Sequence, residues 1–207
     1  MMEFCSIMLD AMDIHSLIAR RVRELRDGHG LSLEALAERS GVSRSNISLI
    51  ERGQSSPTAA VLDKLATALG VSLASLFEAP GPSAAPPSPL ARAADQAVWT
   101  DPASGYVRRN LSPALPSPLQ LVEVHFPAGQ RVAYETGARE AEIHQQIWLI
   151  EGAMEISAGD AHWWLEAGDC VAMRLDCPTV FHNPAHKPAR YLVALSTPPF
   201  SPARRNP

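Results

Sequence analysis

Apolar residues recur at intervals of three and four along the first third of the chain, a spacing typical of amphipathic helices. The first apolar stripe consists of Ile14, Leu17, Ile18, Val22 and Leu25. The three stripes that follow each begin after a residue suited to cap a helix, namely Ser32, Ser43 and Thr58. Glycines close them, namely Gly41, Gly53 and Gly70. Because Leu73, Leu76 and Phe77 add a short fifth stripe, residues 14–78 are expected to form a bundle of five helices.

The second half of the chain has a different pattern, in which short β-prone segments alternate with Gly, Pro, Asp and Asn. The predicted strands are Leu119–Phe126, Gln146–Glu151, Met154–Ser157, His162–Glu166, Cys170–Met173, Thr179–His182 and Tyr191–Ser196. Short strands separated by turns at this spacing indicate a β-sandwich or a β-barrel. The fold class is therefore α + β, with a helical domain followed by an all-β domain.

Proline marks the boundary between the two patterns. Five prolines lie between Ala79 and Leu90, and such a segment forms an extended, semi-rigid spacer. We assign residues 79–95 to this linker, residues 14–78 to the helical domain and residues 96–199 to the β domain. Residues 1–13, which contain no Lys or Arg, are expected to be a disordered leader, and residues 200–207 a tail.

Composition narrows the class of protein. The chain has 207 residues, 46% of them hydrophobic, and a net charge of −4, which argues against a protein that coats nucleic acid through bulk positive charge. No apolar run is long enough to cross a membrane. The three cysteines show no CxxC spacing, which fits reduced thiols and a cytoplasmic protein without membrane partners.

The second and third predicted helices, joined at Gly41, have the form of a helix-turn-helix that places its second helix in the DNA major groove. Its outward positions carry Arg44, Ser45, Ser48 and Leu49. Arginine can donate two hydrogen bonds to guanine, and a leucine can contact the methyl group of thymine. Core packing is the alternative role for Leu49. Glu51 does not suit a phosphate neighbour, and we expect it to form an internal pair or to act as a cap partner.

Residues 14–77 resemble the phage-repressor-like helix-turn-helix domain of the Xre family. The resemblance rests on the segments LSLEALA, GVSRS, ISLIERG and PT, followed by LATALGVS. It implies that Arg44 and Ser45 are the main base readers, with Leu49 one turn later, and that Ser32, Ser43 and Arg52 contact phosphates. It also implies a double-stranded DNA operator as partner and a homodimer that reads two half-sites.

Residues 119–196 resemble a cupin, a small jelly-roll barrel. The resemblance rests on Pro127–Gly129, Gln146–Gly152, Leu165–Asp169 and Pro178–Pro184. Cupin enzymes hold a metal with two histidines and a glutamate from the first motif and a histidine from the second. The corresponding positions here are Glu135, Gly137, Gln145 and Thr179. This departure at every ligand predicts a β domain without a metal cofactor, since an amide and a hydroxyl are poor metal donors.

A metal-free barrel can still enclose a small molecule. Positions that replace the metal ligands would face the interior, which gives a candidate effector site of Tyr134, Glu135, Gln145, Ile147, Thr179 and Phe181. The sequence thus favours a transcriptional regulator that is controlled by a small-molecule effector, and not an enzyme.

Three alternatives remain open at this point. The β domain can be a filled barrel that serves dimerisation alone. A metal site can be shifted to Glu135, His144 and His182. The chain can also be a cupin metalloenzyme, by analogy with iron-dependent epoxidases that carry a similar helical domain.

Overall fold

The computed structural model describes residues 14–78, 88–115, 117–135 and 142–196. The predicted leader, the predicted tail and most of the predicted linker lie outside these ranges. So does Gly137, one of the positions at which the cupin pattern expects a metal ligand.

The helical region contains four α-helices. They are α1 (Ile14–Gly28), α2 (Leu33–Ser40), α3 (Arg44–Glu51) and α4 (Ala59–Ala68). The predicted fifth helix is instead a 3-10 helix over Leu73–Phe77. It has only five residues, and the Glu78 backbone N–H bonds to the Ser75 carbonyl in the tighter i to i+3 pattern. The expected bundle of five helices was therefore wrong: it has four α-helices, and the fifth segment is a short 3-10 turn.

Local capping explains where the helices begin and end. The Ser32 and Ser43 hydroxyls accept hydrogen bonds from the backbone N–H groups of Ala35 and Asn46. Gly41 ends α2 with φ at 67°, a left-handed conformation that glycine adopts without steric cost. The chain therefore turns sharply between α2 and α3, as the helix-turn-helix pattern predicts.

Ten strands make up the second half of the described chain. They are β1 (Val98–Thr100), β2 (Val107–Asn110), β3 (Leu119–Phe126), β4 (Arg131–Tyr134), β5 (His144–Glu151), β6 (Ala153–Ala158), β7 (Ala161–Glu166), β8 (Cys170–Arg174), β9 (Thr179–His182) and β10 (Ala189–Ser196). They form a six-stranded sheet in the order β1-β2-β3-β10-β5-β8 and a four-stranded sheet in the order β4-β9-β6-β7, with antiparallel neighbours throughout.

The two sheets face each other without closing into the predicted barrel. In the described ranges no strand of one sheet pairs with a strand of the other. Side chains join them instead: the Phe181 ring on β9 stacks on Tyr191 of β10 with centroids 6.2 Å apart. Strand alternation supplies this inner layer, because Gln145, Ile147 and Leu149 of β5 are buried whereas their neighbours along the strand are more exposed.

The helical region packs directly on the β domain. The Ala59 backbone N–H, at the start of α4, donates to the Asp101 carboxylate at 2.8 Å. The Phe77 and Trp99 rings lie 5.4 Å apart, and Asn110 donates to the Phe77 carbonyl. The relative position of the two halves is thus fixed by buried contacts as well as by the connecting segment.

Candidate nucleic-acid interface and effector cavity

One face of helix α3 packs into the helical core, and the opposite face is exposed to solvent. Ile47 and Ile50 are buried at no more than 1% exposure, and Val42 just ahead of the helix is also buried. Arg44, Ser45 and Leu49 lie on the opposite face and are exposed, whereas Ser48 is half-buried. Leu49 has 38% of its surface exposed, so part of its side chain is accessible beyond the core. An exposed apolar residue between polar neighbours is suited to contact a partner such as a thymine methyl.

The Arg44 side chain is accessible but is not isolated. Its Nε lies 3.5 Å from the Glu34 carboxylate of α2, and the two side chains are 65% and 71% exposed. A solvent-exposed ion pair of this kind contributes little to stability. Arg44 can therefore leave Glu34 for a base edge or a phosphate at small cost.

The expected phosphate-contacting residues lie around the two helix starts and the end of α3. Ser32 and Ser43 are exposed and already act as caps, and the Ser43 hydroxyl lies 3.2 Å from that of Ser45. Arg52 is exposed directly after α3. Hydroxyls and N-terminal amides at helix starts are suited to phosphate oxygens. The structure thus places the expected DNA-contacting residues on α3 and at the adjoining helix ends.

A partly buried ion pair links α3 to α1. The Arg26 guanidinium on α1 donates to both carboxylate oxygens of Glu51, at 2.7 and 2.9 Å. Hydrogen bonding to Glu51 raises the pKa of Arg26. The internal pair expected for Glu51 is confirmed, and it links α1 to the end of α3.

A cavity of about 80 Å³ lies between the two sheets beneath the helical region. Four of the predicted effector residues line it: Tyr134, Gln145, Thr179 and Phe181. Ile147 is fully buried but is not part of the lining. Glu135 is exposed outside the cavity, where its carboxylate pairs with Lys64 at 3.0 Å.

Tyrosine hydroxyls supply much of the polarity of this cavity. The Tyr106 and Tyr134 hydroxyls are 3.2 Å apart. Burial raises the pKa of Tyr106, Tyr134 and Tyr191, which all line the cavity. These phenols therefore stay protonated at neutral pH and can donate hydrogen bonds.

Sequence reasoning missed several lining residues. Asp63, Leu73 and Ala74 reach the cavity from the helical region, and Arg108 reaches it from β2. The sequence pattern around Arg108 was weak, because β2 has only four residues and two of them are adjacent arginines. The alternation of buried Tyr106 and Arg108 with less buried Val107 and Arg109 is the pattern that could have revealed Arg108.

The residues at the matched cupin positions do not fit a catalytic metal. Gln145 and Thr179 provide an amide and a hydroxyl, and Glu135 points away to Lys64. The shifted site is not assembled either, since His144 lies beside Glu142 and His182 lies 2.7 Å from Glu155. Within the described ranges, no three His, Cys, Asp or Glu side chains are grouped as metal ligands would be.

A helix-turn-helix family model, HTH_3, matches residues 22–76. The HTH-type transcriptional regulator SutR of Escherichia coli (strain K12) is 30% identical over 169 residues, which cover 80% of this chain and 86% of that protein.

Two solved structures extend the comparison. An HTH_3 family transcriptional regulator from Vibrio cholerae has a TM-score of 0.69 and 23% identity, covering 91% of this chain and 99% of that one, and so shares the fold. A hydroxypropylphosphonic acid epoxidase from S. wedmorenis covers 88% of this chain and 98% of its own, with a TM-score of 0.43 and 17% identity. A similarity this low says nothing about chemistry. No helix in the described residues is both long and apolar enough to cross a bilayer.

Proposed function

Because the chain belongs to the HTH_3 (Xre-type) family of helix-turn-helix transcriptional regulators, we propose that it reads an operator through α3 and answers to a small molecule held in its β domain. The observation that carries the DNA-reading part is the exposure of Arg44 and Ser45 at the start of a helix whose other face is buried. Arg44 donates to a guanine, and Ser45 and Ser48 approach neighbouring base edges. Leu49 contacts a thymine methyl group.

Ser32, Ser43 and Arg52 set the register of the protein on the duplex by contacting phosphates. The net charge of −4 supplies no general attraction to DNA, so binding depends on these placed contacts. It also depends on a homodimer, whose two copies of α3 meet half-sites about 34–36 Å apart or a multiple of that distance. The operator is accordingly near-palindromic.

The effector part of the proposal rests on the position of the cavity. Its lining combines Tyr134, Gln145, Thr179 and Phe181 of the β domain with Asp63 of α4. A molecule bound there contacts both halves of the chain. Such a molecule shifts DNA affinity if it binds the DNA-competent and DNA-incompetent arrangements unequally. The proposal includes no catalytic metal, because the donor set at the matched positions does not fit one.

Selection of bound duplexes from a random DNA pool tests this function. We expect the wild-type chain to enrich a near-palindromic site, and Arg44→Ala to lose preference at one position in each half-site. A good arginine–guanine contact contributes about 1–3 kcal/mol of discrimination, so the loss is about fivefold to 150-fold.

Arg174→Ala is the matched control, because Arg174 is 57% exposed, pairs with an acidic neighbour as Arg44 does, and lies on β8. It should leave the selected site unchanged. Uniform weakening at every position in Arg44→Ala would reassign Arg44 to a phosphate. Failure of the wild-type chain to enrich any site would overturn the proposal.

A further inference from the structure

Gln145 is a buried polar side chain in the wall of the cavity. It is 6% exposed, and its buried Nε2 has no hydrogen-bond partner among the described residues. A buried donor without a partner is rare in folded proteins, because it loses its bonds to water and gains none in return. The amide can therefore donate to an acceptor that enters the cavity.

The surroundings of Gln145 are apolar. On the sheet it lies opposite Leu195 of β10 on one side and opposite Met173 of β8 on the other. Leu175, which also lines the cavity, lies close by, because its backbone N–H donates to the carbonyl of Ile143, two residues before Gln145. Eight of the fifteen described lining residues have aliphatic or phenyl side chains. A molecule at Gln145 therefore meets one amide donor within an apolar surface.

The two charged residues of the lining, Arg108 and Asp63, have opposite signs. The strand pairing from Arg108 to Gln145 crosses four residues of β10, which places these two side chains at levels about 13 Å apart along the strand. An ion at Gln145 would lose its water without a counter-ion at its own level of the sheet. Whichever sign it carried, one of the two cavity charges would repel it. The lining thus favours an uncharged ligand at Gln145.

We propose that the effector is a small uncharged carbonyl compound, such as a ketone or an ester, whose carbonyl oxygen accepts a hydrogen bond from the Gln145 side chain. This inference rests on the proposed function, since it names the chemical class of the effector. The rest of the ligand contacts the apolar side chains of the lining. A cavity of about 80 Å³ holds about five or six groups of the size of water, so the ligand has about that number of non-hydrogen atoms.

Titration of the full chain, followed by nuclear magnetic resonance, tests the inference with four probes of one shape. 3-Methylbutan-2-one is the ketone, and 2,3-dimethylbut-1-ene replaces its oxygen with a CH₂ group. Isobutyrate is the matched anion and isobutyramidinium the matched cation, and all four have the same number of non-hydrogen atoms. We expect the ketone to bind at least tenfold tighter than either ion, because an ion gives up far more hydration free energy on entering the cavity.

Gln145→Leu then tests the hydrogen bond. Leucine removes the amide at similar volume, so the affinity of the ketone relative to that of the alkene should fall about twofold to tenfold, the factor for a neutral hydrogen bond. Taking the ratio to the alkene cancels the change in apolar surface, which affects both probes. Gln146→Leu is the matched control and should leave the ratio unchanged, because Gln146 is the next residue of β5 and is exposed on the opposite face.

The ligand-free Gln145→Leu protein should be at least as stable as the wild type in urea unfolding, because an apolar side chain replaces an amide whose donor has no partner. If it does not fold, Gln145→Met keeps an unbranched side chain of similar length without a donor. The ratio of ketone to alkene affinity should fall in this variant as well.

Three results would overturn the inference. They are the failure of all four probes to bind, as expected of a cavity that holds only water, binding of either ion as tightly as the ketone, and an unchanged ratio in the Gln145 variants. These titrations contain no DNA. A protein that selects an operator but binds no ketone keeps its DNA-reading function and loses only the carbonyl ligand, whereas a protein that binds the ketone but selects no operator does the reverse.

Discussion

Asp101 caps a helix that belongs to the other half of the molecule. One carboxylate oxygen accepts the Ala59 backbone N–H at 2.8 Å, at the first turn of α4. The other oxygen accepts from the backbone N–H and the hydroxyl of Ser104, at 2.9 and 2.6 Å. Asp101 is 2% exposed, so these bonds are shielded from water. The carboxylate therefore connects the turn after β1 to the helix that forms part of the cavity roof.

Asp101→Ala is expected to lower the free energy of unfolding by about 2–4 kcal/mol, because hydrogen bonds to a charged group contribute about 1.5–3 kcal/mol each and are not additive. Asp101→Asn should have a smaller effect, since its amide oxygen can still accept from Ala59. Urea unfolding followed by circular dichroism measures both.

Asp160→Ala is the control for this experiment, because Asp160 is exposed in the turn between β6 and β7. Equal stability of Asp101→Ala and Asp160→Ala would show that the interdomain cap contributes nothing. A normal stability with altered operator affinity in Asp101→Ala would instead locate its role in coupling.

Glu34→Gln is expected to tighten operator binding about twofold to fivefold. The substitution removes a negative charge that holds Arg44 in the free protein and that repels phosphates nearby. Fluorescence anisotropy with the selected duplex, at fixed salt, measures the change.

Glu142→Gln is the matched control, because Glu142 forms a similar exposed pair with Arg174 in the β domain. It should not change the affinity. Weaker binding in Glu34→Gln would mean that Glu34 positions Arg44 for its base and does not restrain it.

Glu78 lies at the contact between the helical region and the β domain, and its protonation makes the stability of the protein depend on pH. It accepts from Arg21 at 3.3 Å and from the Gln120 side chain. Burial raises the pKa of Glu78, and the Arg21 charge and the Gln120 hydrogen bond oppose this only in part. The folded state thus holds the proton more tightly than the unfolded chain, whose ordinary pKa is 4.5.

The stabilisation from this proton is fully present below the unfolded pKa and is lost as the pH rises through the folded pKa. Wild-type protein should therefore gain stability relative to Glu78→Gln as the pH falls from about 7 to about 4.5. Urea unfolding of both proteins at each pH isolates the effect, because all other groups titrate alike. A difference that does not vary with pH, or that grows toward neutral pH, would contradict the prediction.

The helical half was predictable because local rules decide it. Capping serines located the starts of α2 and α3, Gly41 located the turn between them, and the outward face of α3 followed from the burial of Ile47 and Ile50. The 3-10 geometry of Leu73–Phe77 was not predictable, since it depends on docking against α1, α4 and the β domain.

The sequence pattern predicted seven strands of the β half, including the four-residue β9. β3 and β9 have the predicted bounds, whereas β1, β2 and β4 have three or four residues each and were missed. Arg108 was missed with them. The prediction of a closed barrel was wrong, because a sequence pattern identifies inward-facing positions but does not show whether the edges of two sheets pair.

The contact between the 3-10 helix and the β domain limits how this regulator can be recombined. Phe77 packs on Trp99 and lies beneath Arg108, and Leu73 and Ala74 form part of the cavity wall. A chimera that joins this helical region to a foreign β domain would expose Phe77 to solvent, and the original β domain would lose the part of its cavity wall that Leu73 and Ala74 form. Residues on the two sides of this contact can therefore be exchanged only as a matched set.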